Sequence, residues 1–555
     1  MKKTFKLSII LVLILTMAIA VFGCTRKTSD KPTTPEKQTE QKKPDKVETP
    51  EEKRDKVTES LFDLTLRDDG NYEVKSYKGS QKEVTIPSEY KGKKIVGIGN
   101  NAFEDSSIES ITIPSTVENI GDYAFYKCNA LQTVTLSEGL KVIGCFAFAE
   151  TAISEIKIPS TVEGIVSDTF KNCKKLKSVT LNEGLKELGD AVFSGTSIES
   201  ITIPSTLEEI AAETFKGCKE LKTVTLQEGL KSIGRHVFED TSIGTITIPS
   251  TVNDIESSLG DVEINVVDGN TKYEAINNCL IEKSTRKLIS GGKYSVIPDG
   301  VKEISDSAFE GTSVETITTP STVEKIERFA FADCKNLKTV TLNEGLKSIG
   351  KGSFKDTSIE EITIPSTIDD IHSSFGDAKI KVTDGNAKYE AIDNCLIEKA
   401  TKKLISAGKH SILPEGIKEI GEEAFYGTSI ENITIPSTVE KIGNYAFHNC
   451  NNLKTVTLNE GLKWIARGAF NGTSIESIEM TSTVEKIERF VFYDCKNLRT
   501  VTLNEGLKEV ESGAFRDCEN LGQINCNVKK SYVEANRSKF EGLIQKKSII
   551  NWVNG

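Results

Sequence analysis

An aliphatic residue recurs along this chain at intervals that alternate between 22 and 23 residues. The series runs Ile98, Ile120, Ile143, Ile165, Leu188, Ile210, Ile233 and Ile255, then takes one step of 49 residues to Ile304. It continues through Ile326, Ile349 and Ile371, steps again by 49 to Ile420, and proceeds by short steps to Val510. A fixed period of this size marks a repeat architecture, in which one unit cannot close a core alone but stacked units bury a continuous one. A chain of 555 residues is also too long for a single compact core, since such cores stop growing near ~250–300 residues.

Each unit reads as one coil. In Leu131-Gln132-Thr133-Val134-Thr135-Leu136 the period is two, the pattern of a short strand with Leu131, Val134 and Leu136 inward and both threonines outward. A turn follows, either Pro114-Ser115-Thr116 in short units or Asn182-Glu183-Gly184 in long ones, then the anchor, then an Ala-Phe pair such as Ala124-Phe125. The Phe is expected to plug the return side of the coil. The expected fold is a mainly β solenoid: a right-handed leucine-rich-repeat-like coil over 98–526, with one short parallel strand per 22/23-residue repeat and about twenty rungs.

The long steps are copies of one another. "DGNTKYEAINNCLIEKSTRKLIS" at 268–290 matches "DGNAKYEAIDNCLIEKATKKLIS" at 384–406, an offset of 116. Cys279-Leu280-Ile281 and Lys287-Leu288-Ile289 read as two strands around a polar turn, so hairpin insertions are expected over about 264–298 and 380–414. Such insertions serve as binding faces or as neutral decoration. Residues 58–97 and 527–555 depart from the repeat and are expected to cap its ends.

The N-terminus supplies an address. Lys2, Lys3 and Lys6 precede an apolar run from Leu7 to Phe22 of signal-peptide length, ending Val21-Phe22-Gly23-Cys24. This ending resembles the bacterial lipobox, which implies that 1–23 is a lipoprotein signal and Cys24 the lipid attachment; the alternative is an ordinary signal peptide. The expected location is extracytoplasmic, held to the membrane by lipid alone and displayed at the cell surface. Residues 24–57, rich in Lys, Glu, Thr and Pro, bury too little apolar surface to order and read as a disordered tether.

The repeat strings "LKTVTLNEGLKSIGKGSFKDTSIEEITIPST" (337–367) and "STVEKIGNYAFHNC" (437–450) resemble the BspA-type leucine-rich repeats of bacterial surface proteins, and the pattern extends over about 83–526. That resemblance implies adhesion to extracellular-matrix proteins such as fibronectin and fibrinogen, or coaggregation, and supplies no catalytic residues. The expected partner is an extracellular protein or cell-surface macromolecule. A structural role in the organism's own envelope, bound to cell-wall polymer, is the alternative.

Charge and cysteine spacing exclude other classes. Residues 58–555 carry 57 basic and 73 acidic side chains, a balance of −16 that disfavours nucleic acid as a partner. Most repeat cysteines, among them Cys128, Cys173 and Cys218, lie 45 residues apart, two rungs and ~9.6 Å, beyond disulfide reach. Cys495 and Cys518, 23 residues apart, are the exception and form a candidate disulfide. No zinc spacing, phosphate loop or nucleophile elbow occurs, so neither cofactor, metal nor catalytic site is expected.

The outward strand positions remain as the candidate binding face. Thr133 and Thr135, Thr223 and Thr225, Thr339 and Thr341, and Thr455 and Thr457 stand in two columns, interrupted by Glu155, Lys157, Glu361 and Glu479. Threonine also suits exposed strands for stability alone. The interruptions place charge at particular rungs of an otherwise uniform surface.

Overall fold

The computed structural model describes residues 48–372 and 374–553. The chain divides into two units, 1–50 and 51–555, and the second holds every repeat. The expected signal segment, the expected lipid attachment Cys24 and residues 24–47 of the expected tether lie outside the described residues.

The fold is a mainly β, parallel-strand solenoid of about 21 turns with repeats of about 23 residues. Each repeat contributes two short strands rather than the one expected. The first is the Thr-x-Thr segment: Ser110–Thr112 pairs in parallel with Thr133–Thr135, Ile111 opposite Val134. The second is the anchor with the residue before it, as in Asn119–Ile120 beside Val142–Ile143. Two residues suffice there because one faces in and one faces out. Anchors align rung on rung, Ile143 against Ile165 and Ile165 against Leu188.

Opposite the strands, the repeat phenylalanines stack through the interior. Phe125 and Phe148 lie with centroids 5.0 Å apart and planes 2° from parallel; Phe148–Phe170 and Phe170–Phe193 repeat this at 5.6 Å. Each ring is fully buried. The return side turns tightly because each coil holds two residues in the left-handed region, two before and two after the Phe, for example Tyr123 (φ 57°) and Lys127 (φ 58°) around Phe125.

Each insertion has three strands, where the sequence suggested a two-stranded hairpin. Tyr273–Ile276 runs antiparallel to Cys279–Glu282, which runs antiparallel to Lys287–Ser290. The overlooked turn is Asn277-Asn278, both at positive φ as a tight hairpin requires. The third strand then pairs in parallel with the next anchor, Glu303–Ile304, so the meander is fused into the anchor column. The second copy does the same through Lys403–Ala407 and Glu419–Ile420. Buried Asn270 fixes the first meander: its amide donates to the Pro249 and Val252 carbonyls at 2.8 and 3.0 Å, and its oxygen accepts from the Lys272 and Tyr273 amides. Asn386 repeats this on Pro365 and Ile368. The hydrophobic core divides into three clusters at these two joints.

The ends also differ in detail. Pro50–Leu61 is an α-helix, so the tether boundary expected at 57 falls inside ordered structure. Proline suits a first helical position, and the Glu, Lys and Arg that follow are good helix formers. The helix docks on the first coil: Arg54 pairs with Glu89 at 3.0 Å, Lys91 with Glu59 at 2.8 Å, and the Tyr90 hydroxyl donates to Glu59. At the other end Ile550–Trp552 adds a last parallel strand to Gln523–Cys526. Phe540 and Leu543 are buried, and at Gly542 a Cβ would lie 2.1 Å from the Glu511 carbonyl, so only glycine fits.

Candidate binding surface

The expected face forms as a surface. Thr133, Thr135, Thr223, Thr225, Thr339, Thr341, Thr455 and Thr457 are exposed, as are Glu155, Lys157, Glu361 and Glu479. The strand column is not continuous. Thr133–Thr135 belongs to one hydrogen-bonded sheet and Glu155–Lys157 to the next, and a trough of about 510 Å³ lies between them. Thr133, Thr135, Glu155, Lys157 and Ser178 line it. The trough thus brings together four of the predicted residues; the other predicted threonines stand on separate rungs.

The charges on this face are not equivalent. Glu361 faces Lys381 at 2.6 Å and Lys379 at 3.9 Å across the strand pair, and the Lys381 hydrogen bond holds its carboxyl below the ordinary range. Among the described residues, Glu155, Lys157 and Glu479 make no ion pair with another side chain.

Other carboxylates serve the coil. Glu118–Lys141, Glu163–Lys186 and Glu324–Lys347 pair at 2.7 Å, each from one rung to the next. The turn glutamates brace the neighbouring rung as well: Glu138 accepts from the Ser160 hydroxyl at 2.8 Å and Glu344 from Ser366 at 2.8 Å. These carboxylates are part of the rung-to-rung scaffold.

The repeat cysteines satisfy backbone. Cys128, Cys173 and Cys218 donate Sγ–H to the carbonyls of Phe103, Phe148 and Phe193 on the preceding rung, at 2.9–3.0 Å. Cys495 and Cys518 are likewise free thiols, bonded separately to the Phe470 carbonyl at 3.1 Å and the Phe492 carbonyl at 2.9 Å. Burial pushes Cys173 and Cys495 up to about 11 and Cys450 and Cys518 up to about 12. Thiols this far from ionisation are poor nucleophiles.

Sequence reasoning overlooked the return face, where half-buried aromatic rings gather. Tyr123 stacks on Phe146 at 5.0 Å, and Tyr126 meets Tyr123 edge-on at 5.4 Å. A second group holds Tyr426, Tyr445, His448, Phe490 and Tyr493. The signal lay in the slot two before each core Phe, which varies among Asn, Tyr, Phe, Asp, Ala, Glu, His, Ser and Gly while the Phe itself recurs. On the anchor column, Trp464 is 40% exposed between Lys441 and Lys486, whose ammonium groups sit 5.2 and 5.8 Å from its ring.

The model of the BspA type leucine rich repeat region matches residues 96–207, 141–259, 290–398 and 418–543, more than half of the sequence. The chain belongs to the BspA type leucine rich repeat family. Solved structures similar to this BspA-type chain include a leucine rich cell surface protein from Faecalibacterium prausnitzii A2-165, 19% identical, covering 87% of this chain and 96% of that one, TM-score 0.29. The pneumococcal vaccine antigen PcpA is 17% identical over 87% of this chain and 95% of its own, TM-score 0.31. A T. pallidum leucine rich repeat protein is 27% identical over 32% of this chain and 86% of its own, TM-score 0.31. No curated protein matches this BspA-type chain.

Proposed function

We propose that the protein is a lipid-anchored adhesin: exported, attached through Cys24, and binding host-matrix or neighbouring-cell macromolecules through its repeat surface. The observation that carries this reading is the trough beside Glu155 and Lys157, two charges with no ion-pair partner among the described residues, standing on an otherwise hydroxylated face. A scaffold of stacked coils holds its outward side chains rigidly over many rungs, so several weak contacts add to one stable attachment. The BspA-type membership and the n-region, apolar run and lipobox-like ending support surface display.

The test is a parallel capture experiment with the purified chain against extracellular-matrix proteins, whole neighbouring cells and the producing organism's own envelope fraction. Retention of matrix protein or foreign cells supports adhesion. Retention of the organism's own wall polymer alone would replace adhesion by a structural envelope role.

A further inference from the structure

The two joints are copies of one sequence block, yet their return faces differ. At the first, His236 Nδ1 lies 3.1 Å from Glu239 and Nε2 3.9 Å from Glu310, and Lys216 reaches Glu239 at 3.0 Å. That ion cluster ties the coil before the meander to the coil after it. An offset of 116 residues puts Gly352, Lys355 and Tyr426 where His236, Glu239 and Glu310 stand, and Phe329 where Glu213 stands. That cluster is gone at the second joint, where Lys351 pairs instead with Glu422 at 2.7 Å and Glu423 at 3.3 Å across the joint. In its place is a cleft of about 930 Å³ lined by Phe329 and Tyr426, with the buried core ring of Phe354 also reaching it.

Gly352 keeps the cleft in shape. Its φ is +66°, and a Cβ there would lie 2.7 Å from the Phe329 ring, so the ring lies directly over the glycine backbone. Lys355 holds its ammonium 5.0 Å from the Tyr426 ring. From Tyr426 the aromatic surface continues along the solenoid. His448 lies 5.4 Å on and Tyr445 5.6 Å beyond it; the Arg467 guanidinium bridges Tyr445 and Phe490 at 5.9 Å each.

We propose that this cleft and the ring track leading from it bind a linear, uncharged glycan. The volume suits a ligand of a few sugar units, since small-molecule sites span ~300–1,000 Å³. A sugar ring offers an apolar C–H face to an aromatic side chain and a rim of hydroxyls that both donate and accept. Charge of both signs lines the cleft in equal number, Lys351, Lys355, Lys379 and Lys409 against Asp356, Glu360, Asp377 and Glu423, with Lys351 and Glu423 already paired at 3.3 Å and Asp377 holding the Lys409 amide. A polyanion would meet the carboxylates, and a polycation the lysines. An extended peptide would seek an open strand edge, whereas the strands of the anchor column here are flanked by neighbours from Glu419–Ile420 through Lys486–Ile487. Rungs ~4.8 Å apart carry the track past successive units of a linear polymer. The assignment goes beyond the adhesion reading and does not depend on the strand face.

Isothermal titration of the purified full chain with chitohexaose, cellohexaose, xylohexaose and maltohexaose, and with a hyaluronan hexasaccharide as the anionic arm, tests it. Saturable binding of at least one neutral hexasaccharide is expected, weakened about ten-fold or more by Tyr426→Ala and by Phe490→Ala. If Tyr426→Ala fails to fold, Lys355→Gln and a graft of the first joint's residues (Phe329→Glu, Gly352→His, Lys355→Glu, Tyr426→Glu) take its place, and both should weaken binding. Failure of all four neutral probes to bind, binding of hyaluronan alone, or affinity unchanged in these variants would overturn the proposal. Matrix-protein capture by the same variants should be unchanged, which keeps this outcome separate from that of the adhesion reading.

Discussion

Asp261 and Ser313 stand 52 residues apart in sequence, yet the Asp261 carboxylate accepts from the Ser313 amide at 2.9 Å and from its hydroxyl. The same carboxylate accepts from the Lys293 amide at 2.9 Å. One side chain therefore joins the coil before the first meander, the meander itself and the coil after it. Asp377 repeats the arrangement on Ser429 and Lys409. The joints are fastened, so the solenoid runs through its insertions.

Asp261→Ala should loosen the joint locally. The carboxylate is exposed, so the loss in global stability is ~1 kcal/mol, that of an ordinary hydrogen bond and below the ~1.5–3 kcal/mol of those to charged groups. Hydrogen exchange at the Lys293 and Ser313 amides should accelerate while amides near Phe170 stay protected. Uniform acceleration along the chain would mean that the contact has no local role.

The first joint should also respond to pH in a way the second does not. The hydrogen bond to Glu239 raises the His236 pKa against the opposing effect of burial, with Glu310 adding attraction and Lys216 subtracting from it. A raised histidine pKa contributes stability that is fully present below the ordinary value near 6.5 and is lost as pH rises through the folded-state value. Glu239 is lowered by His236 and Lys216, so its share is present above the ordinary glutamate range and lost as pH falls through its depressed value. Hydrogen exchange across 291–313 should therefore quicken as pH climbs past the histidine range, after correction for intrinsic rates. Gly352 stands at the equivalent place in the second joint, and exchange across 407–429 should lack that step. His236→Gln should abolish it in the first.

Thiol accounting distinguishes a carbonyl ladder from a bridge. In the native protein Cys145, the only partly exposed thiol among the described residues, should react first with a maleimide. After denaturation without reductant, Cys495 and Cys518 should both be alkylated, as mass spectrometry of their peptides would show. A cross-linked Cys495–Cys518 peptide would establish the bridge instead.

The Phe column should dominate stability and the Thr columns should not. Phe193 stacks on both neighbours, at 5.6 and 5.7 Å, and its replacement by Ala should cost ~3–5 kcal/mol in urea unfolding. Thr223→Ala on the exposed strand should stay within ~0.5 kcal/mol. A Thr223→Ala loss as large as that of Phe193→Ala would make the hydroxyl columns structural.

The repeat was legible because its period is carried by buried residues whose type the core dictates: Ile120, Ile143, Phe125 and Phe148 can be little else. The second strand column escaped reading because two residues such as Asn119–Ile120 show no alternation to detect. The first strand of each meander was hidden by its turn, Asn277-Asn278 in one copy and Asp393-Asn394 in the other, whose left-handed geometry substitutes for the Gly expected in a tight turn. The helix at Pro50–Leu61 was lost in a polar composition shared with the preceding segment; only its docking on Glu89 and Lys91 distinguishes it. The outward strand residues were read correctly as exposed because period two fixes their side. The return-face rings were missed because aromatic residues beside a core Phe look like core, and only coil geometry turns Tyr445 outward while Phe447 turns in.

The measurement that bears most directly on adhesion is a salt-resolved binding isotherm for the purified chain on immobilised fibronectin and fibrinogen, alongside the charge exchange Glu155→Lys with Lys157→Glu. Saturable binding that weakens with salt and falls several-fold in the exchanged variant is the expected result. Binding that is absent on both proteins, or identical in the exchanged variant, would contradict the role assigned to this face.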